Sequence, residues 1–322
     1  EEQFESISAS VVETLNENNI NLTFNIEKIE KLIVEKINIL GNNITRENVI
    51  RNQFVIDEGD PYNEILANKT INNIKSLRFF KTVNSEVVEG SSVDSRIINI
   101  SVEEKATGEI SAGAGLGSDG ASFMVGVKEN NYLGKGLKVE ANALVREDSI
   151  KGILSVTNPN YNNSDKSVYF VSEIREIDRL TESGYKTNRQ GFSIGTNFEY
   201  QDDFNLGIGT SNYFEKIETN SSASSRQKKQ AGNYYDTFLN LNFDFDKRNK
   251  KFQTDDGFRS RYFIDLPILS KTYSLANTYN YQYYTELYEN NITNFSLFLK
   301  SIASITDKDV KLSEEFSYHQ VN

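Results

Sequence analysis

From Thr107 onward the apolar side chains recur at every second position, and no other feature constrains the fold of this chain as tightly. Ile110, Ala112, Ala114 and Leu116 alternate with Ser111, Gly113, Gly115 and Gly117. Later Leu239, Leu241, Phe243 and Phe245 alternate with Asn240, Asn242, Asp244 and Asp246. Successive side chains of a strand point to opposite faces, so a period of two makes each segment one-sided. About eleven such segments follow one another, with turns that are alternately short and longer and no helical segment between them. That order predicts an antiparallel up-and-down meander rather than a Greek key. Leu206 with Ile208, Phe192 with Ile194, and Leu275 with Tyr279, Tyr281 and Tyr283 add further one-sided faces, the last with the character of an interfacial aromatic girdle. The pattern as a whole predicts a transmembrane β-barrel rather than a soluble β-protein.

Residues 32–105 follow a different rule. Leu32 to Leu40 alternates as a strand and stops at Gly41-Asn42-Asn43, where Thr45 is placed to cap a helix carrying Val49, Ile50 and Phe54. Asp57-Glu58-Gly59-Asp60-Pro61 is a break. Ile65, Leu66, Ile71, Ile74 and Leu77 then fall at three- and four-residue spacings, one apolar stripe on a second helix. Val83 to Val88 and Arg96 to Val102, separated by Glu89-Gly90-Ser91, alternate as a hairpin. The expectation is a β-α-α-β-β unit, two helices on a three-stranded sheet, and a β-rich chain overall.

Composition removes whole classes of function. No run of about 18 to 20 apolar residues occurs, which excludes a helical membrane span and leaves a barrel open. A formal charge of -11 argues against nucleic acid as a partner, because displacing counterions from phosphates takes a basic face. With no Cys and one His, neither a thiolate nucleophile nor a Cys/His metal site is expected, and no cofactor is called for. Glu1-Glu2-Gln3-Phe4 reads neither as a natural start nor as a signal peptide, so the chain is expected to be a piece of a longer protein.

Particular residues then become familiar. Gly41-Asn42, Arg46, Val49 and Ile50, Glu58-Gly59-Asp60 with Tyr62, Leu77, Phe79-Phe80 and Val83, and Val102-Glu103-Glu104 with Thr107-Gly108 come in one order. Together they resemble the POTRA module that adjoins the barrel in outer-membrane assembly factors of the BamA type. Arg78 departs from that pattern, which has Gly before the aromatic pair, and a different helix cap is expected there. Gly113-Ala114-Gly115-Leu116-Gly117, Asn131-Tyr132-Leu133-Gly134-Lys135-Gly136, Ser155-Val156-Thr157-Asn158-Pro159-Asn160-Tyr161 and Thr254-Asp255-Asp256-Gly257 are similar in content and order to the family's first nine barrel strands. The resemblance runs from about Asn21 to Phe316. It divides the chain into residues 1–28, the tail of a preceding POTRA module ending in a strand from Ile20 to Ile26; residues 29–105, the last POTRA module; and residues 106–322, an incomplete barrel. The family's Arg-Gly-Phe loop and closing strands would follow Asn322.

The resemblance implies a role in inserting β-barrel proteins into the bacterial outer membrane, with the POTRA part in the periplasm. The implied partners are unfolded outer-membrane β-barrel clients, accessory assembly lipoproteins, periplasmic chaperones and the lipid bilayer. It assigns a lateral gate to the strand Glu109, Ile110, Ser111, Ala112, Gly113, Ala114, Gly115, Leu116 and Gly117. A second edge, Lys81, Thr82, Val83, Asn84, Ser85, Glu86, Val87 and Val88, would take clients by β-augmentation. The alternative with the same domain order is a secretion pore of the two-partner or autotransporter-assembly type.

Sharper chemistry is available at four places and is weaker at each. Gly115-Leu116-Gly117-Ser118-Asp119-Gly120 fits G-x-G-x-x-G, but Ala121 to Val127 alternates as a strand where a dinucleotide site needs a helix start. Glycines that loosen the first strand explain it better. Asp244 and Asp246 share a face with Asn240 and Asn242 and read as a hydrated wall, with Arg259 and Arg261 as their structural partners, rather than as a catalytic pair. His319, the one histidine, stands in an expected loop within the last four residues, whereas a nucleophilic site needs a His oriented beside a Ser and a third group, so no catalytic residue is assigned and the chain is not expected to be an enzyme. Arg226 to Lys229 reads as a solvated loop.

Overall fold

The computed structural model describes residues 7–16, 19–28, 32–117, 120–250, 254–289 and 291–314. They form two compact units, one comprising residues 1–107 with Asn130–Gly136, the other Gly108–Glu129 with residues 137–322.

The first unit begins with strands β1 (Ile7–Asn16) and β2 (Asn19–Lys28), an antiparallel pair forming its own two-stranded sheet. The sequence reading placed one strand here. Next comes β3 (Ile33–Leu40), then helices α1 (Glu47–Arg51) and α2 (Glu64–Ser76), then strands β4 (Phe80–Glu89) and β5 (Ser95–Glu104). The order in the sheet is β3-β5-β4, with β3 parallel and β4 antiparallel to the central β5. This is the β-α-α-β-β unit read from the periodicity. Val34, Ile37, Ile50, Ile74, Phe79 and Ile100 fill the core between helices and sheet.

Four local expectations fail. Thr45 caps nothing: α1 starts after Arg46, which makes no side-chain cap, because the Thr45 hydroxyl is taken by a tertiary hydrogen bond. That helix is only five residues long, so Phe54 lies beyond it, packed against the core from the following turn. Ile65 is 77% exposed, since α2 turns Leu66, Ile71 and Ile74 to the sheet and leaves Ile65 on its outer side. Asn63 caps α2 instead, its Oδ1 accepting from the backbone of Ile65 and Leu66. Arg78 ends the helix at φ +60°, the left-handed geometry glycine takes at such caps, so the backbone of the cap is kept although the residue is not glycine.

The second unit is one antiparallel sheet of eleven strands, ordered by sequence from one edge to the other. They are β6 (Gly108–Gly117), β7 (Gly120–Tyr132), β8 (Leu137–Arg146), β9 (Ser149–Asn158), β10 (Ser167–Arg179), β11 (Tyr185–Gln201), β12 (Phe204–Thr219), β13 (Gly232–Asp246), β14 (Gly257–Leu269), β15 (Ser274–Tyr288) and β16 (Asn291–Ser304). The meander is as the period of two predicts. One correction is α3 (Ser225–Lys229), a short helix between β12 and β13 where a plain solvated loop was expected. Ser224 and Gln227 form a reciprocal capping box that nucleates it.

Polarity in this sheet is inverted relative to a water-soluble core. Ile110, Ala112 and Ala114 lie opposite Val127, Val125 and Phe123 in register, and the same face continues through Phe170, Ile194, Ile208 and Leu241. That face is uncovered: Leu116 is 92% exposed, and Phe192, Ile194 and Ile208 are exposed too. Most of the buried side chains are polar, among them Glu215, Asp236, Ser274 and Lys311, with Ile217 and Phe238 as apolar exceptions. Aromatic contacts cross the strands on the uncovered face, from Phe204 to Phe245 to Phe258 to Tyr281, with centroids 6.3, 5.8 and 5.9 Å apart. An apolar exterior with an aromatic row and a polar interior suits a sheet solvated by lipid. The sheet is also strongly curled. Flat, β10 and β16 would lie about 29 Å apart at ~4.8 Å per strand, yet residues of both line one cavity.

Candidate functional site

The strands left with an unpaired side are the places where this fold can act on another polypeptide. In the large sheet they are β6 and β16, which stand at opposite ends of the order and pair only with β7 and β15. All ten residues of β6 are exposed, including Glu109, Ile110, Ser111, Ala112 and Ala114. Its register with β7 is continuous from Gly108 opposite Glu129 to Gly117 opposite Gly120. One side of the strand is therefore fully paired, and the other presents a ladder of backbone donors and acceptors.

The glycines of β6 differ from those deeper in the sheet. A Cβ at Gly113 would lie 3.9 Å from Met124 Cε, an ordinary contact, and at Gly117 it would meet nothing within 4 Å. At Gly195 and Gly209, by contrast, a Cβ would come within 2.5 and 2.6 Å of the Tyr169 hydroxyl. The inner glycines are required by packing. Those at 113 and 117 are not, and their effect is to weaken a strand that keeps its conformation without side-chain support.

In the three-stranded sheet β4 is an edge, paired with β5 alone. Phe80 and Val83 anchor it in the core, whereas Lys81, Thr82, Asn84, Ser85, Glu86 and Val87 are exposed and Val88 is half-buried. Beside it runs a cavity of about 170 Å³ lined by Ile37, Tyr62, Ala67, Ile71, Ser85 and Val87, between the sheet and α2. An extended peptide added to β4 would have backbone partners and an apolar slot for a side chain.

The first unit is also tied together by a polar cluster that the sequence reading passed over. Asn131 Nδ2 donates to Thr45 Oγ1 at 2.8 Å, and its Oδ1 accepts from the Gly136 amide at 2.8 Å. The amides of Ile44 and Thr45 donate to the Glu104 carboxylate at 2.8 and 2.6 Å. Partial burial pushes the Glu104 carboxyl up, but the hydrogen bonds from Thr45, Ile44 and Asn43 outweigh it and hold it below its usual range. Gly134, at φ +67°, could carry no side chain, since a Cβ would lie 1.9 Å from the Ile44 carbonyl oxygen. This accounts for Asn131-Tyr132-Leu133-Gly134-Lys135-Gly136 as a unit.

The polar face of the large sheet holds the predicted acid–base wall with one correction: Arg261, opposite Asp244 in register, makes no hydrogen bond or ion pair among the described residues, and Arg248 takes its place. Arg259 donates to both oxygens of Asp244, at 2.9 and 2.6 Å, and lies 3.7 Å from Asp246. Asp246 is gripped by Arg248 at 2.8 and 2.7 Å. Every one of these carboxylates has a cationic partner, which is a structural arrangement. Gly115 to Gly120 runs from β6 into β7 and opens no helix, while Ser118 and Asp119 within it lie outside the described residues, as does His319.

The comparisons with known proteins follow the same division. A profile of the Omp85 superfamily domain matches residues 131–318, and the POTRA profile, described as a surface antigen variable number repeat, matches residues 32–105. The chain is 29% identical over 233 residues to the outer membrane protein assembly factor BamA of Buchnera aphidicola subsp. Acyrthosiphon pisum, covering 69% of this chain and 36% of that one. With BamA of Nitratidesulfovibrio vulgaris it shares 27% identity over 165 residues, covering 51% of this chain and 21% of that one. The chain thus spans 21% to 36% of the length of these curated relatives. In fold it is similar to BamA from Haemophilus ducreyi lacking POTRA domains 1–3, at a TM-score of 0.74 and 19% identity over 97% of this chain and 63% of that one. CdiB from Escherichia coli shares the fold at a TM-score of 0.55 and 10% identity, covering 91% of this chain and 58% of that one. With the superfamily profile matching more than half of its residues, the chain belongs to the Omp85 superfamily.

Proposed function

We propose that the protein containing this chain sits in a bacterial outer membrane, with the POTRA module in the periplasm, and assembles β-barrel proteins there by offering the β6 edge to incoming strands. The observation that carries this reading is the state of β6: a fully exposed ten-residue strand at the end of the sheet order, loosened by glycines that packing does not require. A client strand would satisfy its free backbone groups, which lipid cannot do. No bond is made or broken, so neither a catalytic residue nor a cofactor enters. On the same reading β4 holds extended clients before they reach the membrane, and β1 and β2 belong to a preceding POTRA module.

The test is photo-crosslinking from Ala112 and Ala114 in the full-length protein, reconstituted in liposomes with a radiolabelled barrel client. Crosslinks that appear during assembly and vanish on completion are expected. Assembly that proceeds without any β6 crosslink would overturn the proposal. The fold shared with CdiB favours a second reading, a secretion pore. In that case depletion of the protein removes a single secreted partner and leaves outer-membrane barrels at their normal level.

A further inference from the structure

We propose that the polar face of the large sheet contains an oxyanion site selective for protonatable phosphate, formed by Arg175, Arg189 and Lys300 around a cavity of about 240 Å³. Arg175 on β10 and Arg189 on β11 are direct cross-strand partners, and Lys151 on β9 continues the row opposite Arg175. Like charges facing one another across a sheet are destabilising, so an aligned row of three cations needs a compensating anion. The protein answers the row only from a distance, through Glu173 and Glu215 near Arg175: among the described residues no hydrogen bond or ion pair ties either guanidinium. Arg189 is instead stacked on Tyr213, its guanidinium carbon 3.8 Å from the ring centroid, which fixes the plane and leaves its N–H edge available. Lys300 lines the cavity from β16.

Of the acids that line this cavity, Asp265 accepts from the neutral Asn240 amide at 2.6 Å and keeps its charge, offsetting one of the three cations, and Glu314 Oε1 pairs with Lys311 at 3.2 Å. What remains are orphaned buried atoms. Ser274 is 2% exposed and lines the cavity, yet its Oγ has no hydrogen-bond partner among the described residues; nor have the buried Ser313 Oγ and Glu314 Oε2. Buried polar atoms without partners are rare enough to need an explanation. A monohydrogen phosphate group supplies one for all three. Its oxygens accept from the two guanidinium forks and the two serine hydroxyls, and its own O–H donates to Glu314 Oε2. Sulfate has no proton to give at neutral pH and would set its charge against that carboxylate. Two sources share the required chemistry, free orthophosphate and the phosphomonoester headgroup of a lipid.

The experiment is calorimetric titration of the folded chain in uncharged detergent with sodium phosphate, sodium sulfate, dihexanoyl phosphatidic acid and dihexanoyl phosphatidylglycerol, a diester that lacks the proton. Phosphate is expected to bind roughly tenfold or more tightly than sulfate, and the monoester lipid more tightly than the diester. Arg175→Gln and Arg189→Gln should each weaken phosphate binding by about tenfold or more, and Glu314→Gln should abolish the preference over sulfate. Binding of phosphatidic acid without orthophosphate identifies the lipid headgroup as the ligand, and binding of orthophosphate without the lipid identifies the free ion. Equal affinity for phosphate and sulfate, or no binding of either phosphate compound, overturns the proposal, and neither comparison needs a variant to fold.

Discussion

Asn131 reaches Thr45 across 86 positions of sequence, Nδ2 to Oγ1 at 2.8 Å, and both side chains are buried. Because Asn131 also accepts from the Gly136 amide, one side chain holds the tight 131–136 turn to the strand–helix connection of the POTRA module. Asn131→Ala leaves the Thr45 hydroxyl and the Gly136 amide without partners in a buried place. The expected loss is roughly 2 to 4 kcal/mol of the stability of that unit. Urea unfolding of the chain, followed by a probe in the POTRA module, measures it; a loss below about 0.5 kcal/mol would show that water replaces Asn131 at no cost.

Glu104 gives the same region its pH dependence. Its carboxyl lies below the ordinary value of 4.5 because backbone amides and the Thr45 hydroxyl favour the charged form. A depressed folded pKa contributes stability that is present above the unfolded value and disappears as pH falls through the folded one. The POTRA module should therefore lose stability below about pH 4.5, and Glu104→Gln should flatten that acid limb while lowering stability at pH 7. Thermal melts between pH 3 and pH 7 on both proteins decide it; parallel curves would assign the acid limb to other groups.

At Arg78 the backbone takes φ +60°, a conformation that costs a non-glycine residue roughly 1 to 2 kcal/mol. Arg78→Gly removes that strain and adds chain entropy to the unfolded state, so a net gain of about 0.5 to 1 kcal/mol is expected. An unchanged or lower urea midpoint would mean that the arginine side chain contributes as much as the left-handed backbone costs.

These cases show where the sequence is readable and where it is not. Alternation fixed the eleven strands and the two-layer POTRA unit because both are local patterns repeated along the chain. Thr45 was misread because a threonine before a helix looks the same whether its hydroxyl caps that helix or meets Asn131. Helix α3 carries no apolar stripe, so periodicity missed it, although Ser224 and Gln227 at capping-box spacing were a usable signal. The edges β4 and β6 were named from family resemblance, and the sheet order places both at a margin. The cavity around Arg175 and Arg189 was out of reach, because it depends on how far the sheet curls.

The β6 glycines allow a graded test. Gly113→Val and Gly117→Val meet no backbone, so the chain should fold, each change strengthening the strand by about 0.5 to 1 kcal/mol. If a loose edge is what incoming strands exploit, the full-length double variant should assemble clients more slowly than the parent while showing higher thermal stability. Gly195→Val, which collides with Tyr169, should instead fail to fold and serves as the steric control. Faster or unchanged assembly by the stiffened protein would remove the mechanical role assigned to β6.

Lys311 is a clasp between the segment after β16 and the strands β12 and β13. Its ammonium is fully buried against Glu215 at 3.3 Å, Asp236 and Glu314, with the Tyr234 ring 5.4 Å away. Gln230 completes the hold, donating to the Val310 carbonyl at 3.1 Å and accepting from the Leu312 amide at 2.9 Å. Removing the cation alone strands Glu215 and Asp236, which are 0% and 1% exposed, so Lys311→Met should destabilise the sheet by roughly 3 to 5 kcal/mol. Neutralising the acids as well, in Lys311→Met with Glu215→Gln and Asp236→Asn, should recover most of that loss, because the cost lies in the unpaired charges rather than in the missing bonds. Heat-modifiability on gels reads both variants. A triple variant no more stable than Lys311→Met would show that the clasp acts through the geometry of the 305–314 segment, and the cation would then matter for where it places the chain.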